Sequence, residues 1–117
     1  MFFSKKKKIA AYLQGIPDGE KTAFDLLLAD YLDGTLKTRL ESMGITKLEI
    51  HIDWLLGSKC IGLQGRYKRY YMDAGIDTEE YFLFFDLDEP EDDDPPCPLR
   101  SREGFYAAIS DAIQALS

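Results

Sequence analysis

After Gly44 the hydrophobic period changes to two: Leu48, Ile50, Ile52 and Trp54 alternate with Glu49, His51 and Asp53. Successive side chains of a strand point to opposite faces, so this run describes a strand with one face in a core and the other in water. A helix would scatter the same residues around its circumference. The chain therefore contains an antiparallel sheet that is covered on one side, and the remaining sequence has to supply the cover.

Glycines suggest where the strand pairs. Gly57-Ser58 is a two-residue hairpin signal. A loop there sets Trp54 opposite Ile61, Ile52 opposite Leu63, Ile50 opposite Gly65 and Leu48 opposite Tyr67. Every partner on that face is apolar or glycine, while on the other face Glu49 meets Arg66 as a favourable charge pair. Asp73-Ala74-Gly75 suits a three-residue loop with Gly75 at the position of positive φ. That loop sets Tyr67 opposite Tyr81, Gly65 opposite Leu83 and Leu63 opposite Phe85, with Lys68 facing Glu80 and Arg69 facing Glu79. The pattern predicts a three-stranded antiparallel meander over 46–56, 59–72 and 76–88.

The cover is helical. Phe24, Leu27, Leu28, Tyr31 and Leu32 recur at helical spacing after Asp18, a residue able to cap, and Leu36, Leu40 and Met43 extend the stripe to a stop at Gly44. Gly34 offers a break, so 18–43 is one helix or two. Ile9, Leu13 and Ile16 mark a short N-terminal helix or ordered arm. Ser101 caps a final helix carrying Phe105, Ile109, Ala112, Ile113 and Leu116. This order predicts a two-layer α+β fold with an N-terminal helix or helix pair and a C-terminal helix on the Trp54 face of the sheet. A length of 117 residues fits one domain. Residues 1–8 read as a flexible lysine-rich tail and 89–100 as an exposed acidic loop, where Pro90, Pro95, Pro96 and Pro98 oppose ladder or helix.

The 14 Lys+Arg against 21 Asp+Glu give a net charge of −7, which argues against a protein that coats nucleic acid. Arg66-Tyr67-Lys68-Arg69-Tyr70-Tyr71 interleaves cations with aromatics, as single-strand binders do, but the carboxylates expected opposite those cations account for them. The apolar run after the lysines, Ile9 to Leu13, is too short for a secretory signal, and no stretch approaches the roughly 20 apolar residues of a membrane span. Two cysteines make no disulfide framework. The expectation is a cytoplasmic protein with reduced thiols, no membrane span and no nucleic-acid partner.

On the second sheet face the expected register gathers Glu49 with Arg66 and Phe82, His51 with Gln64 and Phe84, and Asp53 with Gly62 and Asp86. Two large aromatics stand there on a face that is polar on the other strands. Either the N-terminal arm covers them or they form a recognition patch. His51, Asp53 and Asp86 around Gly62 are the candidates for a divalent cation. Strand neighbours at i and i+2 stand roughly 6.6 Å apart, so Glu49, His51 and Asp53 cannot easily share one ion, and solvated carboxylates with a hydrogen-bonded histidine explain them more simply. No metal or cofactor is assigned. No serine sits in a nucleophile elbow and no glycine run resembles a phosphate loop, and nothing in the residues around Cys97 marks it as a nucleophile.

The expected function is a small protein-binding module acting by stoichiometric contact with a basic partner, more an interaction protein than an enzyme. Phe82, Phe84, Arg66, His51 and Gln64 on the sheet, with Asp92, Asp93 and Asp94 in the loop, are the expected contact residues. In size and acidity the chain resembles small immunity or inhibitor proteins that neutralise cationic toxins, a likeness that involves no motif. A metal-assisted enzyme or small-ligand domain on the polar sheet face is the alternative, and a homodimer through that face is a third reading.

Overall fold

The computed structural model describes residues 5–55, 58–87 and 96–116. Helix α1, Lys5–Gln14, begins inside the lysine run that reads as a tail in sequence. Ile9 and Leu13 hold it by lying in the core, and Lys5 Nζ donates to the Ile52 carbonyl at 2.6 Å. A 3₁₀ turn, Asp18–Glu20, leads to α2, Ala23–Asp33. The cap of α2 is Thr22 and not Asp18. Thr22 Oγ1 accepts from the Asp25 amide at 3.2 Å while Asp25 Oδ2 accepts from the Thr22 amide at 3.0 Å, a reciprocal capping box that satisfies two orphan donors. Gly34 adopts φ 85°, a left-handed conformation that ends one helix and favours glycine. Residues 18–43 therefore form two α-helices, with α3 spanning Thr35–Ser42.

Among the described residues the sheet has five antiparallel strands in sequential order, not three: β1 Thr46–Leu55, β2 Ser58–Tyr67, β3 Tyr70–Ile76, β4 Glu80–Asp86 and β5 Cys97–Pro98. The expected long second strand reverses at Lys68-Arg69, where Lys68 takes φ 54° and Tyr67 pairs with Tyr70. Asp73-Ala74-Gly75 forms no loop; it runs through β3, with Asp73 opposite Gln64 and Gly75 opposite Gly62. The next reversal follows Asp77, whose Oδ1 accepts from the amides of Glu79 at 2.8 Å and Glu80 at 2.7 Å. That is an Asx turn, which needs no glycine.

The first hairpin is displaced by two residues from expectation: Ile52 faces Ile61, Ile50 faces Leu63, and Leu55 pairs with Ser58. Residues 56 and 57 lie outside the described residues, and Ser58, expected in the loop, belongs to β2. A displacement of two keeps every side chain on its face, but it moves the charges. Glu49 faces Gln64 and not Arg66, while Lys68 and Arg69 occupy the turn, 5.4 Å from the Tyr67 ring and 5.8 Å from the Tyr70 ring respectively. The prolines do not wholly exclude ladder either. Cys97 and Pro98 pair with Tyr81 and Glu80, because a proline in an outermost strand need not break a ladder hydrogen bond.

Helix α4, Arg102–Ala115, starts where expected, with Ser101 Oγ accepting from the Gly104 amide at 2.9 Å. Ile9, Phe24, Leu27, Leu28, Leu36, Leu40, Phe105 and Ile109 from the helices meet Ile52, Ile61, Leu63, Met72, Ala74 and Ile76 of the sheet in one core. The four α-helices among the described residues thus bury residues against the same sheet face, as a two-layer α+β arrangement requires. One polar link crosses this layer: the Tyr106 hydroxyl donates to buried Asp30 at 2.6 Å, and Arg102 Nη1 donates to the other carboxylate oxygen at 3.1 Å. Asp30 joins α2 to α4 with both oxygens satisfied, as a buried carboxylate needs.

Candidate functional site

The opposite sheet face is built by alternation. Ile61, Leu63, Met72, Ala74 and Ile76 point into the core, so their strand neighbours point away from it. Strand pairing places His51, Gly62, Gly75 and Phe82 in one row, and Glu49, Gln64, Asp73 and Phe84 in the next. A third row holds Arg66, Tyr71 and Asp86. The structure therefore brings Phe82, Phe84, Gln64, His51 and Arg66 to one face. Relative to the sequence reading, Phe84 keeps Gln64 in its row, Glu49 and His51 exchange places between the two phenylalanine rows, and Arg66 falls in a row with neither.

Phe82 crosses its row. Its ring lies over Gly75, where a side chain would collide with the ring edge, and this contact buries the glycine. The Phe82 and Phe84 centroids are 5.3 Å apart with planes 30° from parallel, a spacing at which aromatic rings attract. Phe82 nevertheless stays 38% exposed. Helix α1 does not cover the pair, because its anchors Ile9 and Leu13 lie in the core on the other side of the sheet.

Beside the aromatic pair lies an open hollow of about 410 Å³, lined among others by Lys47, Glu49, Gln64, Arg66, Tyr71 and Asp73. Its cations and its acids are unequally engaged. The Arg66 guanidinium lies 4.2 Å from the centre of the Tyr71 ring, a favourable stacking distance. Glu49 Oε2 is 3.5 Å from His51 Nε2, with both side chains well exposed. Asp73 is half-buried, and this desolvation raises its carboxyl pKa, opposed only by a hydrogen bond from the Ala74 backbone. Asp73 forms none of the ion pairs among the described residues.

Sequence reasoning missed Asp73 by placing 73–75 in a loop, and it named Tyr71 only within the Arg66-to-Tyr71 run. The signal was present: Tyr71, Asp73 and Gly75 alternate with Met72, Ala74 and Ile76, the same period of two that exposed β1. The cation candidates fare differently. Asp53 pairs with Cys60, whereas Asp86 is in register with Tyr71 and, through it, with Arg66. Six residues of β2 separate the two rows, about 20 Å at roughly 3.3 Å per residue. His51, Asp53 and Asp86 therefore do not converge around Gly62. Among the described residues no group of three or more histidine, cysteine, aspartate or glutamate side chains is placed to hold a metal ion.

Cys97, on β5, is separated from His51, on β1, by three strands. Cys60 sits opposite Asp53, and burial, then the charges of Asp77 and Asp53, push its pKa up; a less available thiolate is a poorer nucleophile. Cys97 is exposed in β5. Asp92, Asp93 and Asp94 lie outside the described residues. Among the described residues no helix is long and apolar enough to cross a membrane. No protein-family model, curated protein or solved structure matches this chain. The face presents a tilted aromatic pair next to a polar hollow.

Proposed function

We propose that this chain is a protein-binding module that acts by stoichiometric contact with a basic partner, using the sheet face opposite its helices. The observation that carries the reading is the Phe82/Phe84 pair, stacked and yet left partly in water on a face turned away from every described helix. Aromatic side chains flanked by polar ones are the usual energetic centre of a protein interface. Gln64, Arg66 and His51 supply the polar surround. The net charge of −7, with Asp92, Asp93 and Asp94 nearby in sequence, favours rapid encounter with a cationic surface. Inhibition of a basic toxin or enzyme is the form of this activity that suits so small and acidic a chain. Free thiols at Cys60 and Cys97 suit a reducing compartment such as the cytoplasm.

The test begins with proteins recovered on the full chain from an extract of its source cells, each purified and titrated by calorimetry. One-to-one binding of a basic protein is expected. Phe82→Ala with Phe84→Ala should weaken it about 30-fold or more, the effect of losing a central anchor. Replacing Asp92, Asp93 and Asp94 by asparagine should slow association chiefly at low ionic strength. A partner whose affinity ignores the two phenylalanines removes the reading, as does self-association of the chain through this face.

A further inference from the structure

Any partner that seats on Phe82 and Phe84 also covers Asp73, because Asp73 is the cross-strand neighbour of Phe84. Covering an ionised carboxylate without a counter-charge costs more than a typical contact returns. The partner must therefore bring something to that acid. Within the chain no described cation forms an ion pair with Asp73, although Arg66 and Lys47 line the same hollow. Tyr71 holds Arg66 by its ring, Gln64 on the adjoining strand is neutral, Glu49 beyond it is acidic, and Phe84 carries no charge. Lys47 also lines the hollow, but it is exposed to solvent and forms none of the ion pairs among the described residues.

The hollow itself has the capacity. Its volume of about 410 Å³ lies within the range of sites that enclose small organic ligands, so it admits a single long side chain together with water. Glu49 and Asp73 stand in one row, separated by Gln64. Two inter-strand spacings put their backbones roughly 9.6 Å apart, and a cation between them would meet acceptors from both sides and the Gln64 carbonyl from below. A planar guanidinium would also stack on the neighbouring aromatics, as Arg66 already does on Tyr71.

We infer that a basic side chain of the partner, an arginine or lysine, enters this hollow and pairs with Asp73 beside Phe84. The inference rests on the reading of the Phe82/Phe84 face as the contact surface, and it names the chemistry that surface selects. A neutral partner would have to neutralise Asp73 by protonation and would bind better in acid; a cationic partner binds better with Asp73 ionised.

The probe is N-acetyl-arginine amide, titrated into the isotope-labelled full chain and followed by NMR, with N-acetyl-citrulline amide as its uncharged isostere. Saturable shifts at the Gln64, Asp73 and Phe84 amides are expected with the arginine compound only, together with a fall in the pH at which the Asp73 carboxyl titrates. Asp73→Asn should abolish the response while leaving the rest of the spectrum in place. No response, an equal response to citrulline, or a response that survives Asp73→Asn overturns the inference. Two outcomes separate it from the broader proposal. A protein partner sensitive to Phe82→Ala but indifferent to Asp73→Asn defeats the inference alone. An arginine response at Asp73 with no protein partner sensitive to Phe82→Ala defeats the broader proposal alone.

Discussion

Phe82 lies across Gly75 so closely that a Cβ on Gly75 would stand 2.6 Å from Phe82 Cζ. The glycine is a seat for the ring, and the ring is the part able to yield, being 38% exposed. Gly65 makes the informative contrast. A Cβ there would stand 2.8 Å from Ile45 Cγ2 and 3.1 Å from the Thr46 carbonyl, and Ile45 is buried in the core. Gly65→Ala should cost about 1–3 kcal/mol through overpacking. Gly75→Ala should cost less than about 1 kcal/mol, the scale of one shifted rotamer, and should instead displace the Phe82 ring. Urea denaturation measures the first effect and Phe82-to-Phe84 ring contacts by NMR the second. Equal costs for the two variants would contradict this division between face and core.

Tyr106 and Asp30 form a contact of the opposite kind, closed and buried. Tyr106→Phe removes the hydroxyl that donates to Asp30 Oδ2 at 2.6 Å and leaves a buried acceptor with only Arg102 on its other oxygen. A loss of about 1–3 kcal/mol follows. Glu103→Gln breaks the paired 2.9 Å hydrogen bonds from Arg39 but does so in water, where such pairs contribute little. Denaturant titration of both variants should show Tyr106→Phe as much the larger change.

Alternation made the faces of the sheet legible, and turn chemistry misplaced its connections. Phe82 and Phe84 were readable as outer-face residues because they alternate with Leu83 and Phe85, which pack against the core, and alternation within a strand survives a misplaced turn. The turns were not readable, because the glycines serve packing. Gly75 seats Phe82 and Gly65 lies under Ile45, while the actual reversal uses Lys68 at φ 54°, a conformation that few lysines adopt. The charge pairs expected from the misplaced turns fell with them. Asp73, the half-buried acid of the hollow, was hidden by the same error, whereas Ser101 was legible as a cap because capping is decided within one helical turn.

Alkaline pH should lower the stability of the fold through tyrosines of the helical layer. Burial and the hydrogen bond to Asp25, 2.7 Å from its hydroxyl, push the Tyr12 pKa up to about 12 from an ordinary 10.0. Burial and the Asp30 carboxylate raise Tyr106 as well. Between 10 and about 12 the folded chain keeps the Tyr12 proton that the unfolded chain has released, so stability is full below the lower value and falls as pH rises through the window. Melting temperatures across that range, with tyrosinate absorbance measured in parallel, should show the decline. Tyr12→Phe should flatten part of it while lowering stability at neutral pH. A decline of unchanged slope in that variant would assign the effect elsewhere.

Asp73 should behave as an acid that the fold tolerates at a cost. Desolvation raises its pKa, so between the ordinary carboxylate range and the raised value the folded chain binds more protons than the unfolded one. Its contribution to stability therefore falls as pH rises through that interval. Asp73→Asn removes the charge and should be more stable than the parent at neutral pH, with the difference disappearing below the ordinary carboxylate range. The source of the desolvation is separable, since Phe84 is the neighbour of Asp73 on β4. Phe84→Ala should admit water and bring the Asp73 pKa down toward 3.8, read from its carboxyl carbon by NMR. A pKa that stays raised in that variant would mean that the strands, and not the aromatic pair, shield the acid, and the hollow and the Phe82/Phe84 patch would then be two neighbouring features and not one surface.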